Sequence, residues 1–436
     1  MFFSRLIQRE DVYNSYLTFR PLSGSTDFAY IKKGTGDDLE YSLDEGLTWK
    51  SLPSVTRVTV SFNETIMWRG KITPNDSTSD LHDLIWQRSL ENGNLYKPSI
   101  VWITDNIVSS SEFTSKYGSG SVEFWADNKY EAYGNPASIL DKDNFKSITD
   151  LTNYPAAFAN FFNWNTTGRN NIISVKNLYL PFTTLSPYCF SHMFYYCVNL
   201  IDTPVLPATN LAEGCYAYMF CNCLNLNYFP KLSATNLADG CYAYMFACRN
   251  AGSVSKRVQI IRELPATNLA ERCYYGMFIN QSSIYGNLKI SATTMAKESC
   301  CRMFIDCAWG ASVTVDMNSI ETLADGCCAY MFCKSDVMMP DLVAEDLCDR
   351  CYYGMFAQCY GFAANRSSSF SILATTKNGI DCTKSWFGQQ NNLIDRTTVT
   401  VRLANSELWT PYTTWTTGTN TTDTLFNKWN KITINE

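Results

Sequence analysis

The sequence predicts a mixed α/β solenoid, with a short strand and a helical turn in each coil, preceded by a small antiparallel β domain. The first observation behind this prediction is a Met-Phe dipeptide that recurs at intervals of 24 to 32 residues, a spacing typical of solenoids. The second is the alternation of apolar and polar residues in short runs over residues 12–72. The dipeptides begin at Met193, Met219, Met245, Met277, Met303, Met331 and Met355.

A cysteine accompanies the dipeptide. It stands four residues before the methionine in six of the seven copies, whereas one copy has Ser299 there, followed by Cys300 and Cys301. Degenerate copies flank the series at residues 156–162 and at Cys382 with Trp386-Phe387. The six cysteines are Cys189, Cys215, Cys241, Cys273, Cys327 and Cys351. Three copies also share an upstream Leu-x-Ala-Thr-Asn-Leu-Ala block, at 206–212, 232–238 and 264–270.

The spacing of these residues suggests how a coil packs. Side chains four residues apart lie on one face of a helical turn, so the Cys, the Met and the adjacent Phe are expected to share a buried face. A unit of about 26 residues cannot bury that face alone, so neighbouring units must stack, at about 4.8 Å per coil. Most of the 18 cysteines are therefore expected to be free thiols, with Cys189, Cys215, Cys241 and Cys273 in a buried column.

The repeat resembles the BspA-like leucine-rich repeats found in proteins of gut bacteria and their crAss-like bacteriophages. In that family a block of the form LPATxLAxxCYxxMFxxC recurs, and residues 206–220, 232–246 and 264–278 match it. The resemblance covers about residues 155–390 and departs from the pattern at Ser299. It implies a solenoid of the leucine-rich-repeat type and does not imply a reaction.

The same reasoning divides the chain into segments. Residues 1–15 are expected to be an N-terminal anchor, and residues 16–145 a β-rich domain with an insertion at 73–118. Residues 146–396 form the predicted solenoid. Residues 397–436 return to strand-like alternation and suit a C-terminal β cap or an oligomer contact.

One hairpin motif lies in the β-rich domain. Residues 42–49, Ser-Leu-Asp-Glu-Gly-Leu-Thr-Trp, resemble an Asp-box, a turn motif of sialidase propellers. A sialidase needs several copies and an arginine cluster, so a structural role is favoured. Asp44 is then expected to cap a hairpin turn under which Trp49 packs. The pairing of this motif with the repeats is also found in the BspA-like proteins and strengthens the resemblance.

Composition excludes several classes of function. The formal net charge is −6, the pI is about 5.2, and no basic patch is dense enough for nucleic acid. No stretch approaches the roughly 18 apolar residues of a membrane span. Residues 1–11 carry charges where a signal peptide needs an apolar run, so we expect synthesis in a cytoplasm without export by a signal peptide.

The sequence offers no catalytic, cofactor-binding or metal-binding residues. Its two histidines are His82 and His192, and His192 stands where other copies have tyrosine, which favours a structural role. Cysteine-only zinc sites need paired arms, whereas Cys348-x-x-Cys351 stands alone and fits the repeat.

A set of tyrosines remains open to two interpretations. Stacked in the solenoid, they either form an aromatic ladder that binds a glycan or a protein, or pack between the coils. The set comprises Tyr216, Tyr218, Tyr242, Tyr244, Tyr274, Tyr275, Tyr330, Tyr352 and Tyr353.

These observations favour a non-enzymatic virion protein, a phage head or tail fibre or a decoration protein, that presents the solenoid to a host surface. Its expected partners are other virion proteins and a host glycan or protein, and a homo-oligomer is expected because virion proteins act by repetition. The alternative is a cell-surface adhesin of a gut bacterium. A glycan hydrolase, suggested by the Asp-box, is a third and weaker hypothesis.

Overall fold

The computed structural model describes residues 15–76, 120–162, 170–248, 258–281, 284–307, 312–335, 337–338, 340–357, 368–383, 399–405 and 432–435. The predicted anchor (residues 1–14 of it), most of the insertion, Trp386-Phe387 and residues 406–431 lie outside the described residues. The described part divides into two compact units. The first comprises 15–76, 120–162, 170–210 and 214–231, and the second 211–213 and the described residues from 232 onwards.

The first unit begins with an antiparallel sheet. Its order is β5-β4-β7-β1-β9-β2-β6, with β10 added to β9 in parallel, while β3 and β8 form a separate pair. Two 3₁₀ turns, Pro136–Ile139 and Phe145–Ser147, follow β9. The strands are β1 (Leu17–Pro21), β2 (Thr26–Lys32), β3 (Thr35–Gly36), β4 (Glu40–Ser42), β5 (Lys50–Ser51), β6 (Val58–Val60), β7 (Ile66–Arg69), β8 (Ile72–Thr73), β9 (Val122–Tyr133) and β10 (Asn170–Ser174).

Aromatic residues fill the core of this sheet. Phe19 lies at its centre, with its ring centroid 4.9 Å from that of Phe124 and 5.4 Å from that of Tyr130. The sheet also covers the first coil of its own unit, because the Phe124 N–H donates to the Phe161 carbonyl at 2.9 Å and the Ser121 hydroxyl donates to the Ala157 carbonyl at 2.7 Å. The start of β9 is therefore bonded directly to the first coil of this unit.

The repeats are coils of a β-solenoid, and the expected helical turn is absent from the described residues. In residues 188–197 the N–H groups of Met193 and Tyr195 donate three residues back, and the N–H groups of His192 and Phe194 donate to the next coil. An α-helix would direct all of these groups four residues back. We call this segment, residues 188–197 and its equivalents, the turn ribbon.

Left-handed residues explain why the turn ribbon is not a helix. Tyr188, His192 and Tyr196 have φ of 56°, 59° and 59°, so a positive φ recurs every fourth residue. The ribbon therefore repeats every four residues, and a Cys and a Met four residues apart share a face without any helix. The prediction of a mixed α/β leucine-rich-repeat fold with helical turns is thus wrong, because a spacing of four fits both geometries.

Parallel strands form another side of the coils in the second unit. They are β11 (Val258–Gln259), β12 (Glu263–Leu264), β13 (Ile284–Ile290), β14 (Ser312–Asp316), β15 (Val337–Met338), β16 (Asp346–Leu347), β17 (Ser368–Ile372), β18 (Thr376–Lys377), β19 (Val399–Leu403) and β20 (Ile432–Asn435). They form the sheets β11-β13-β14-β15 (with β12 on β13), β16-β18 and β17-β19-β20, in which all pairs are parallel.

Identical side chains stack from coil to coil between the strands and the turn ribbons. In the second unit the rings of Phe278, Phe304 and Phe332 lie nearly parallel, with centroids 5.3 and 5.6 Å apart. The methionines and most of the cysteines of the motif are also fully buried. The core is therefore a set of columns, each built from one repeat position.

Candidate contact surface

The tyrosine set lies in the core. Eight of its nine members are buried and Tyr244 is partly buried. The Tyr242 and Tyr274 rings stack at 5.9 Å with their planes 9° apart, and the Tyr330 ring fills the space above Gly354 in the next coil. Packing between coils is therefore the interpretation that holds, and these tyrosines do not form an exposed ladder.

His192 is also a packing residue. It is 1% exposed, and its ring stacks on that of Tyr218 at a centroid distance of 4.5 Å. Its Nδ1 lies 2.8 Å from the Ser191 hydroxyl. The structural role that its position in the repeat predicted is confirmed.

The Asp-box motif forms the turn between β4 and β5. Asp44 accepts hydrogen bonds from the Thr48 N–H at 2.9 Å and the Thr48 hydroxyl at 2.6 Å. These bonds lower the pKa of Asp44 to about 2. The Trp49 indole donates to the Gly46 carbonyl at 3.0 Å, and its ring lies 4.0 Å from the Arg69 guanidinium carbon. The turn is thus a hairpin cap with a packed tryptophan, as predicted.

The thiols are withdrawn from solvent. The 17 cysteines among the described residues are free, and all of them except Cys348 are buried. Burial raises the pKa of both Cys189 and Cys241 to about 12, so these thiols are neutral at physiological pH. The expectation of free, buried thiols is therefore confirmed for Cys189, Cys215, Cys241 and Cys273.

An exposed row of polar side chains runs across the coils of the second unit. Asn268, Thr294 and Thr322 occupy the same position in successive coils, where their backbones form parallel bridges, and all three are exposed. We call these three residues the polar ladder. Coil stacking sets their spacing at about 4.8 Å, so the ladder repeats the same hydrogen-bonding groups at a regular interval.

Charged residues continue this exposed surface along the strands. Glu263 of β12, Lys289 of β13 and Asp316 of β14 are in register across three neighbouring strands. The Lys289 ammonium lies 3.9 Å from the Glu263 carboxylate, and both side chains are 52% exposed. Exposed pairs of this kind add less than about 1 kcal/mol to stability, so these groups are available to a partner at little cost.

An open pocket of about 460 Å³ lies in the second unit beside β16. Four carboxylate residues line it: Glu321, Asp325, Asp346 and Asp349. Arg350 forms a two-pronged ion pair with Asp325, with N···O distances of 3.2 and 3.0 Å. The pocket is therefore negatively charged overall.

Sequence reasoning identified the motif of the polar ladder without assigning it a surface. Asn268 belongs to the repeated Leu-x-Ala-Thr-Asn block, which was a usable signal for an exposed row. Within the part of the chain that the structure describes, no helix has the length and apolarity needed to span a bilayer. Comparisons of the chain with protein-family models, with curated proteins and with solved structures found no match, so the resemblance to BspA-like repeats rests on the motif alone.

Proposed function

We propose that this chain is a non-enzymatic contact protein of a virion, a fibre or decoration protein that presents a β-solenoid to a protein or glycan on the host surface. The observation that carries the proposal is the division of side chains between the two sides of each coil. Aromatic rings and thiols point inward, whereas Asn, Thr and paired charges repeat in register outward.

The chemistry of the buried groups supports contact rather than catalysis. A nucleophilic thiol must ionise near neutral pH and must be reached by its substrate. Cys189 and Cys241 meet neither condition, because both are fully buried and their pKa values are raised to about 12. His192 stacks within the core, where a proton donor or acceptor cannot reach a substrate.

The repetition of the polar ladder supports a role in binding extended ligands. A glycan chain or an extended peptide presents hydrogen-bonding groups at regular intervals, and a row of Asn and Thr can meet several of them at once. Such contacts are individually weak. Several copies of the protein on one particle would make them strong through avidity, which is why we also propose a homo-oligomer.

Particle association is the first test. Peptide mass spectrometry of particles purified from a lysing culture should find the chain at a level comparable to other structural proteins. Recovery only from bacterial envelopes would instead favour the adhesin, and both proposals would fail if the chain were found in neither fraction.

Binding is the second test. The purified chain should bind host cells, and protease or glycosidase treatment of the cells should show whether protein or glycan is the receptor. Release of sugar from the host glycan by the chain would contradict a non-enzymatic role.

A further inference from the structure

Cys351 fits the repeat, but Cys348 departs from it, contrary to the expectation that the repeat accounts for both cysteines. The position three residues before the motif cysteine is alanine in five coils, but Cys348 in the coil of Cys351. Packing requires only a small side chain at this position, so the repeat itself does not explain why residue 348 is a cysteine. The alanines are Ala212, Ala238, Ala270, Ala296 and Ala324.

The backbone brings the two thiols of this coil together. The Cys351 N–H donates to the Cys348 carbonyl at 3.4 Å, which closes a four-residue turn. Such a turn holds its end Cα atoms within about 7 Å, and disulfides span about 4.4–6.8 Å. Cys382 lies beside this pair, because the Cys351 thiol donates to the Cys382 carbonyl at 4.0 Å. A disulfide between Cys348 and Cys351 thus requires little backbone movement.

The two thiols differ in accessibility. Cys348 lines the acidic pocket and is the one cysteine among the described residues that is not buried, whereas Cys351 is 0% exposed. The neighbouring Cys351 thiol lowers the pKa of Cys348, and burial raises the pKa of Cys351. Cys348 is therefore placed to attack first, and Cys351 to resolve the product.

We propose that Cys348 and Cys351 form a thiol–disulfide exchange site that is oxidised by small disulfides entering through the pocket. The Cys348 thiolate attacks one sulfur of the small disulfide, the S–S bond breaks, and one small thiol leaves. Cys351 then gives up its proton and attacks Cys348, which expels the second small thiol. Two protein thiols become one disulfide, the small disulfide is reduced to two thiols, and the two cysteine protons end on those thiols.

The charge of the pocket predicts which disulfides react. Within the described part of the chain, no cation pairs with the carboxylates of Glu321, Asp346 and Asp349 as Arg350 pairs with Asp325. A cationic disulfide is therefore attracted and an anionic one repelled. Cystamine should therefore oxidise the site about tenfold faster than oxidised glutathione at low ionic strength, with the difference shrinking in high salt.

The test uses the full-length protein under native conditions. After cystamine treatment, alkylation and peptide mass spectrometry should find one disulfide, between Cys348 and Cys351, with the thiols of the repeat columns unchanged. Cys348→Ala should fold normally, because alanine is the residue of five other coils, and should form no disulfide. Cys351→Ser should stop at a mixed disulfide on Cys348, and Cys382→Ala should still form the bond.

Three outcomes overturn the proposal. They are an unchanged thiol count after treatment, a disulfide that joins Cys351 to Cys382, and oxidation of Cys348→Ala at the rate of the parent protein. None of these measurements depends on whether the chain belongs to a virion, so the result is separate from the proposed function.

Discussion

Removal of one ring from the phenylalanine column tests the stacked core most sharply. Phe304 is fully buried between Phe278 and Phe332, with ring centroids 5.3 and 5.6 Å away. Phe→Ala changes in packed cores cost about 3–5 kcal/mol. Since Phe304 loses two stacked partners, each worth about 0.5–1.5 kcal/mol beyond burial, Phe304→Ala should fall in the upper part of that range.

Two further variants separate the contribution of buried volume from that of ring stacking. Phe304→Leu keeps most of the buried volume and loses only the two ring pairs, so it should cost about 1–3 kcal/mol. Phe62→Ala is the control, because this ring is 52% exposed, and should cost no more than about 1 kcal/mol.

Denaturant titrations followed by tryptophan fluorescence and circular dichroism give these free energies of unfolding. A loss of unfolding free energy below about 1 kcal/mol for Phe304→Ala would refute the stacked column, because removing a ring from a well-packed core destabilises it by more than that.

Three other perturbations follow from the same structure. Gly354→Ala, at φ 57°, places a methyl group 2.4 Å from the tyrosine ring of the neighbouring coil, and should lower the free energy of unfolding by at least about 2 kcal/mol in a denaturant titration. The control Gly24→Ala, at φ 69° with open space around it, should lower it by about 1–2 kcal/mol. Equal losses of stability in the two variants would contradict the close approach at Gly354. Arg272→Ala leaves the buried Glu298 carboxylate, 2.6 Å from the guanidinium, without its ion-pair partner, and should lower the free energy of unfolding by about 3–5 kcal/mol. The double variant Arg272→Met with Glu298→Leu should recover most of this stability, because it buries no charge. No recovery would contradict the view that the loss comes from a buried, unpaired charge. Burial raises the pKa of Cys241 to about 12, whereas the pKa of an unfolded cysteine is about 8.5. Above about pH 8.5 the unfolded chain loses this proton and the folded chain keeps it. The free energy of unfolding should therefore be unaffected by Cys241 at lower pH and fall by about 1.4 kcal/mol per pH unit as pH rises toward 12. A denaturant midpoint that stays constant from about pH 8 to about pH 10 would contradict the burial of the thiols.

Much of the architecture could be predicted from the repeated residues. A motif that places Cys, Met and Phe at fixed offsets leaves stacking as the only way to bury them, so the solenoid and the buried thiols could be predicted. The Asp-box could be predicted as well, since the hydrogen bonds of Asp44 to Thr48 are local.

The local geometry of the coil could not be predicted from spacing alone. A helix and a four-residue turn ribbon both bring Cys189 and Met193 to one side. Gly214 and Gly240, directly before motif cysteines, have φ of 54° and 59° and were a signal against a helix. The signal was weak because the equivalent residue elsewhere is Tyr188 or Arg272, which also adopts a positive φ. Hydrogen bonds between coils hold these residues in place, and such bonds are invisible in a single repeat.

The second feature that the sequence could not predict was which face of each coil is exposed to solvent. A tyrosine repeated from coil to coil fits either an exposed ladder or an internal column, and the choice depends on the direction of the chain at that position. The space above Gly354 decides it for Tyr330, since the ring occupies the volume that a β-carbon would need.

The proposed contact function is tested most directly through the polar ladder. Host-cell binding of the purified chain should be compared with that of a triple variant, Asn268→Ala, Thr294→Val and Thr322→Val, which removes the ladder's polar groups and keeps the backbone. Loss of three hydrogen bonds at about 0.5–1.5 kcal/mol each predicts an affinity at least about tenfold lower. A control with Thr59→Val and Thr73→Val, two exposed strand threonines outside the ladder, should bind like the parent. Equal binding by the triple variant, the control and the parent would contradict the assignment of the contact surface to the strand side of the coils.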